Sequence, residues 1–402
     1  MGMKNVNKNI RLAARLVLTA GTIAAYIYAA HRLQYLAELG AVDNIAGAAP
    51  LVLLSGVAAF LSALIWKRHK NAGTSTIALS VLGAIWMLLF IPSLTGDWFP
   101  MAKTPEPDLS SPDLALYAPF AEDTKAARLP MAASLHISGK LPVLDGATAL
   151  YPVYAAFVGA VYDKADFAPE DALCTNTKNA YKRIIAGECD IIFVAGASER
   201  QKQDAKAAGA ELVFVPIGRE AFVFLAGKSN PIEGLSCQQI KNIYSGKTAY
   251  WKTLGYGGGG KIIVFQRPEG SGSQTGLQNI MRGLPLQKPQ PLSDESLVGT
   301  GSMLKQVSVW RDGVQPALGY SYRYYAETMY ANPDAKILAI DGVYPSNETI
   351  ADGSYPFAGD FYAVTNGQPT GDAKRLIDWI LTDEGQWIIG QTGYAPLFSP
   401  IT

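Results

Sequence analysis

Residues 266–275 read Gln266-Arg267-Pro268-Glu269-Gly270-Ser271-Gly272-Ser273-Gln274-Thr275. Ahead of them stands Lys261-Ile262-Ile263-Val264-Phe265, a short apolar, β-branched run that reads as a buried strand. Behind them Gly276-Leu277-Gln278-Asn279-Ile280-Met281 reads as the start of a helix. A strand, a Gly/Ser turn and a helix deliver backbone N–H groups and small hydroxyls to one point. The helix N-terminus adds partial positive charge there, and Arg267 adds a planar donor fork. The pattern holds no nucleophile with its base. It reads either as a cradle for a small oxyanion or as a plain capping turn with a solvated arginine.

A second stretch has the same form. Leu144-Asp145-Gly146-Ala147-Thr148-Ala149-Leu150-Tyr151-Pro152 is again strand, small-residue turn and helix start. Thr148 offers a hydroxyl and Ala149 a backbone N–H; the plain alternative for Thr148 is an N-cap. Two such turns in separate lobes imply one small anion held between two helix N-termini, with hinge closure around it.

Between and beyond them, strand-like and helix-like runs alternate with short Gly/Pro-rich joints. Helical spacing is expected over 151–162, 179–185, 201–208 and 237–244, and strands over 143–144, 190–194, 211–215 and 221–226. Alternation of this kind predicts an α/β fold with mainly parallel sheets. About 260 residues is large for one sheet, so two α/β lobes around a cleft are expected.

The 402 residues carry 34 Lys plus Arg and 34 Asp plus Glu, a formal net charge of zero. No basic excess marks a nucleic-acid partner. Cys174, Cys189 and Cys237 form no CxxC pair, and His31, His69 and His136 are scattered, so neither a metal site nor a cofactor is expected. A Cys174–Cys189 disulfide is the alternative to unpaired buried thiols in an exported domain.

Charged residues are only 17 % of the chain because the first hundred are apolar. Runs over 12–30, 48–66 and 75–94 are each of roughly the length that crosses a ~30 Å hydrocarbon core. Lys4, Lys8 and Arg11 precede the first run, Arg15 stands at its start, and Lys67, Arg68 and Lys70 lie between the second and third. The first run alone could be a signal peptide; three runs in succession favour an uncleaved anchor in the lipid bilayer. The basic residues place the N-terminus inside the cytoplasmic membrane and everything after about residue 100 outside it, with Trp98 as an interfacial aromatic. Helices two and three hold no Asp, Glu, Lys or His, so no ion pathway is expected. The expected organisation is a three-helix membrane anchor (1–98), an extracytoplasmic linker rich in Pro, Asp and Ser (99–139), lobe 1 (140–220 and 356–402) and lobe 2 (221–355).

Three segments carry a resemblance: 145–152, the Arg-x-x-Gly-Ser-Gly-Ser turn at 267–273, and Gln238-Gln239-Ile240-Lys241-Asn242-Ile243-Tyr244-Ser245-Gly246-Lys247 followed by Trp251. In this order and spacing they resemble the phosphate-binding proteins of ABC-type phosphate uptake systems, over roughly residues 140–397. The resemblance implies a type II periplasmic binding-protein fold: two α/β lobes, a two-strand hinge and a central cleft. It implies an extracytoplasmic solute-binding protein rather than an enzyme, with inorganic phosphate or a similar oxyanion as ligand and an ABC permease as partner. The three-helix anchor is no part of the usual pattern.

Carried over residue by residue, the resemblance assigns ligand contacts to Thr148, Ala149, Thr177, Arg267, Ser271, Gly272 and Ser273. Glu269 would orient Arg267. Two places depart from the pattern. In Cys174-Thr175-Asn176-Thr177-Lys178-Asn179 the family's Ser-Gly is missing; Thr177 can supply the hydroxyl, and Lys178 either adds charge or points to solvent. The family's carboxylate that accepts a proton from hydrogen phosphate falls near Ala195, where none stands. The resemblance therefore implies an oxyanion without implying phosphate over sulfate. Arg219-Glu220, at the lobe crossing, reads either as a substitute pair or as a hinge salt bridge. Tyr320, Tyr322, Tyr324 and Tyr325, close to Arg323, read as packing and stay outside the assigned site. Two other readings remain: a sensory or interaction module that keeps the fold with altered or lost ligand, and a phosphohydrolase using the same turns.

Overall fold

Four consecutive buried apolar residues, Ile191-Ile192-Phe193-Val194, form β2, as expected of a strand covered on both faces. The strand belongs to a computed structural model that describes residues 113–257, 260–288, 303–304, 307–308 and 316–400. The chain forms two compact units, residues 1–103 and 104–402. The expected membrane anchor and its orientation lie outside the described residues. Among the described residues, no helix is long and apolar enough to cross a membrane.

The strands in chain order are β1 (Leu144–Gly146), β2 (Ile191–Val194), β3 (Leu212–Gly227), β4 (Gly234–Leu235), β5 (Ile263–Val264), β6 (Ala317–Tyr322), β7 (Ala335–Ile337), β8 (Ala339–Ile340) and β9 (Ala358–Asn366). The helices are α1 (Tyr151–Val161), α2 (Thr177–Ala186), α3 (Glu199–Ala207), α4 (Cys237–Tyr244), α5 (Gly272–Met281), α6 (Asn347–Ala351), α7 (Gly371–Ile380) and α8 (Asp383–Thr392).

One seven-stranded sheet runs β1-β2-β9-β3-β6-β5, with β7 also on β3. It is mixed rather than mainly parallel. β1/β2, β5/β6 and the separate pair β4/β8 are parallel, while β3 and β9 run antiparallel to their partners. The antiparallel strands are the long ones that cross from one half to the other.

β3 corrects the expectation of two strands over 211–215 and 221–226. Pro216 lacks an N–H and suggests a break. The chain instead absorbs it in a bulge: Pro216 faces Tyr362 and Gly218 faces Phe361, with a register shift between. Gly218 makes this geometry reachable, because a methyl there would sit 2.4 Å from the Phe361 ring.

Residues 212–221 of β3 pair with β9; residues 222–226 pair with β6. The first half is covered on one face by α1, α7 and α8, through Phe157, Trp379 and Ile388, and on the other by Tyr181 and Ile184 of α2. The second half carries its own core around Phe224, Tyr244, Trp251, Phe265 and Leu277. Trp251 is fully buried and donates its indole N–H to the Pro316 carbonyl at 2.7 Å, so the tryptophan of the 238–251 segment serves packing.

Part of the stretch expected as a linker packs on the domain. Leu114–Tyr117 forms a short 3-10 turn capped by Asp113, and Tyr117, Ile137 and Leu141 enter the core of the first half. Ser134 is held by Glu384 at the start of α8, N to Oε2 at 2.9 Å. The Pro/Asp/Ser-rich composition hid this strap because only a few of its side chains do the docking.

Candidate functional site

The turn after β1 is built on a buried carboxylate. Asp145 is fully buried and accepts from the N–H groups of Gly146 (2.7 Å) and Thr175 (2.8 Å) and from the Thr175 hydroxyl (2.6 Å). The guanidinium of Arg183 on α2 donates to its other side at 2.7 Å. Four donors satisfy the two oxygens of this buried carboxylate. The network locks residues 146–149 to the 174–176 segment. Thr148–Leu150 is then a 3-10 turn leading into α1, with Ala147 at its head and no side-chain cap. The Thr148 hydroxyl turns to the Cys174 thiol, whose titration burial pushes up to about 11. All three cysteines are free.

The turn before α5 is built on a buried cation. The backbone N–H of Arg267 donates to Tyr320 Oη at 2.8 Å and to Gln274 Oε1 at 3.0 Å, and Tyr320 donates its hydroxyl to the same Gln274 oxygen. Desolvation lowers the affinity of the Arg267 guanidinium for a proton, against the opposing pull of the Tyr320 and Tyr325 hydroxyls. Ser271 caps α5 by accepting from Gln274 N at 3.3 Å, and Ser273 is buried in the first turn. Glu269 is exposed and accepts from Gln278 Nε2 at 2.6 Å, a partner on the flank of α5 rather than in the turn.

The two turns meet. A methyl built on Gly272 would sit 2.8 Å from Thr177 Oγ1, so the α5 and α2 N-termini touch. Gln201 of α3 donates to the Gly270 carbonyl at 3.2 Å, and the aliphatic stem of Lys178 lies over Gly270. These contacts shut one side of the cleft. Alongside them a cavity of about 390 Å³ remains, lined by Ala149, Thr177, Ala195, Glu220, Tyr322 and Gly272 among others.

Three of the residues singled out from sequence thus line the cavity: Ala149, Thr177 and Gly272. Thr148, Arg267, Ser271 and Ser273 belong to the same two turns and are not among the residues lining this cavity. Arg219 and Glu220 do not form a pair. Adjacent residues of a strand point to opposite faces. Arg219 lies 3.4 Å from Asp360 across the β3/β9 pairing and donates to the Ala351 carbonyl at 2.9 Å. Glu220, 5 % exposed, accepts from Ala221 N at 2.8 Å and Tyr324 N at 3.1 Å and lies 3.6 Å from Arg323. Burial pushes its carboxyl up to about 7, against the pull of Arg323.

Sequence reading missed Tyr322, dismissed as packing; Phe222; and the Asp145–Arg183 lock. Period-2 alternation along Ala317–Tyr322 places Tyr320 and Tyr322 on one face, and that signal was available. The Asp145–Arg183 and Gln201–Gly270 contacts join distant segments and leave no local trace.

Three comparisons bear on this arrangement. A family model described as a PBP superfamily domain matches residues 139–384. The phosphate-binding protein PstS of Bacillus subtilis is 28 % identical over 206 residues, half of this chain and 62 % of that protein. PstS of Staphylococcus epidermidis is 24 % identical over 218 residues, 52 % of this chain and 65 % of that protein. The chain therefore spans less than two thirds of the length of these curated relatives. A crystal structure of a phosphate ABC transporter substrate-binding protein from Clostridium perfringens, with bound phosphate, superposes with a TM-score of 0.50 at 26 % identity, over 64 % of this chain and all of that one.

Proposed function

The chain belongs to the PBP superfamily over residues 139–384, and from that premise we propose that it is a solute-binding protein that holds phosphate or a similar small oxyanion between two lobes. It is a binding protein in kind, as its relatives are, and not an enzyme. The observation that carries the ligand reading is the meeting of two helix N-termini, Thr177 at α2 and Gly272 at α5, beside an open cavity. Both present backbone N–H groups and hydroxyls to one point, which favours an anion.

In this reading Ala149, Gly272 and Ser273 offer N–H groups, and Thr148, Thr177, Ser271 and Ser273 offer hydroxyls. Arg267 supplies the charge from behind the α5 turn. Glu269 is engaged with Gln278 and Arg219 with Asp360, so neither is given a ligand contact. Lobe 1 comprises 140–220 and 356–402, and lobe 2 comprises 221–355, with β3 and β9 as the hinge. We further propose that the first hundred residues tether the domain outside the cytoplasmic membrane, where it passes its ligand to an ABC permease or reports it to a partner.

Isothermal titration calorimetry of the full chain with phosphate, sulfate and arsenate tests the ligand. Heat with at least one of them is expected; none with any would overturn the reading. A sensory module with altered ligand has one observation in its favour: the cavity wall at Ala195 carries a methyl and no carboxylate. Binding of a different anion in preference to phosphate would select it.

A further inference from the structure

The cavity is too long for one tetrahedral ion. Four of its lining residues, Gly272, Gly276, Asn279 and Ile280, fall at i, i+4, i+7 and i+8 of α5, so one whole face of that helix forms a wall. Arg282, just past its C-terminus, lines the cavity too. At about 1.5 Å per residue, Gly272 and Arg282 lie about 15 Å apart along the axis. The helix keeps this face open with two glycines. A methyl at Gly276 would lie 2.6 Å from the Phe222 ring, so that glycine lets the aromatic wall approach.

The length is not that of a cleft left agape. The Gln201–Gly270 hydrogen bond and the Thr177–Gly272 contact already join the two sides at the turns. The lobes meet there and the trough persists.

Its chemistry changes along its length. At the turns the walls are the methyls of Ala147, Ala149 and Ala195 with the Thr177 hydroxyl, and no carboxylate acceptor stands among them. A hydrogen phosphate brings a proton that needs one; an ester oxygen brings carbon, which suits a methyl wall. Further along, Phe222 is fixed in an aromatic cluster, stacked on Tyr320 at 5.4 Å and edge-on to Tyr322 at 5.5 Å. Beside it stand the Glu220 carboxylate and the Tyr322 hydroxyl. Each Glu220 oxygen already accepts one backbone N–H and keeps a second lone pair for a ligand hydroxyl. An aromatic face with a fixed carboxylate at its edge fits a hydroxylated carbon body.

We propose that this cavity takes an organic phosphomonoester of the sugar-phosphate class, its phosphoryl group at the two turns and its hydroxylated body along α5 against Phe222 and Glu220. The proposal rests on the oxyanion reading above and names the ligand class for that same site.

The test is calorimetry of the full chain with inorganic phosphate, glucose 6-phosphate, glycerol 3-phosphate and unphosphorylated glucose. At least one ester should bind about tenfold or more tighter than phosphate, the gain from contacts along the body, and glucose should not bind. Asn279→Trp fills the trough from an exposed position; Ile280→Trp is the second blocking variant. Either should reduce the ester to within about twofold of phosphate while phosphate binding is unchanged. Phosphate binding as tightly as both esters, or blocking variants that weaken phosphate and ester alike, would overturn this inference and leave the oxyanion reading standing. Absence of binding by every phosphorylated compound would overturn both.

Discussion

In the turn after β1 the charge is settled inside the protein: Asp145 meets Arg183 and three further donors, all within 2.8 Å. In the turn before α5 the Arg267 guanidinium is desolvated, and the carboxylate of Glu269 is engaged with Gln278. The two turns look alike in sequence, yet the first is made rigid by its own ion pair and the second keeps a cation close to the cleft. A buried ion pair contributes shape; a turn at a helix N-terminus contributes attraction for an anion. The comparison predicts that mutations in the first turn cost stability, and mutations in the second cost binding.

The largest effect should come from Asp145→Ala. It strands Arg183 and three donors, and urea unfolding should show a loss of about 3–5 kcal/mol, the usual consequence of breaking a buried pair. A loss below about 1 kcal/mol would mean the network is not what holds the turn.

Next is Glu220, which joins the two halves at the crossing strand. Its carboxyl titrates near 7 in the folded protein, above its ordinary value of 4.5. A raised carboxyl favours the folded state while protonated. That contribution is complete below about pH 4.5 and is lost as pH rises through about 7, amounting to at most about 3 kcal/mol. Unfolding curves of the native chain and Glu220→Gln should diverge over this window, the variant lacking the decline; parallel curves would remove Glu220 as the titrating group.

Arg267→Ala should weaken oxyanion binding by more than about 2 kcal/mol, as for the loss of a charge-assisted partner. Calorimetry that finds a change of a few tenths would place the attraction elsewhere. The smallest effect is expected of Gly272→Ala, whose methyl would press on Thr177 Oγ1 and hold the two turns apart. A binding loss of about 1–2 kcal/mol is expected, and adding Thr177→Ala should restore part of it. Strict additivity of the two changes would show that the turns do not touch.

Much of this was readable before any coordinates. The apolar run 191–194 and the helical spacing over 151–162 and 237–244 announce β2, α1 and α4, because local pattern and burial agree there. Pro216 misled: a proline inside a strand is tolerated when a bulge and a neighbouring glycine absorb it, and that depends on the ring of Phe361 across the sheet. The strap was hidden for a related reason, since Tyr117 and Ile137 are isolated apolar residues whose partners lie far along the chain. At the site, residue type identified the turns and not the orientation of their side chains. Thr148 faces Cys174 instead of the cavity, and Glu220 turns inward while Arg219 turns out, because strand phase and tertiary packing set those directions.

The crossing of β3 and β9 has a consequence for the order in which the protein can assemble. Ile192 of β2 pairs with Val364 of β9, roughly 170 residues later. The second half of the sheet is built from chain that lies between these partners, so it can close before the first half has its central strand. During synthesis β2 must wait, with Ile191-Ile192-Phe193-Val194 unpaired on that edge, until nearly the whole chain has emerged. A nascent chain stopped before residue 358 would carry the strands of the second half paired and β2 of the first half still adhesive.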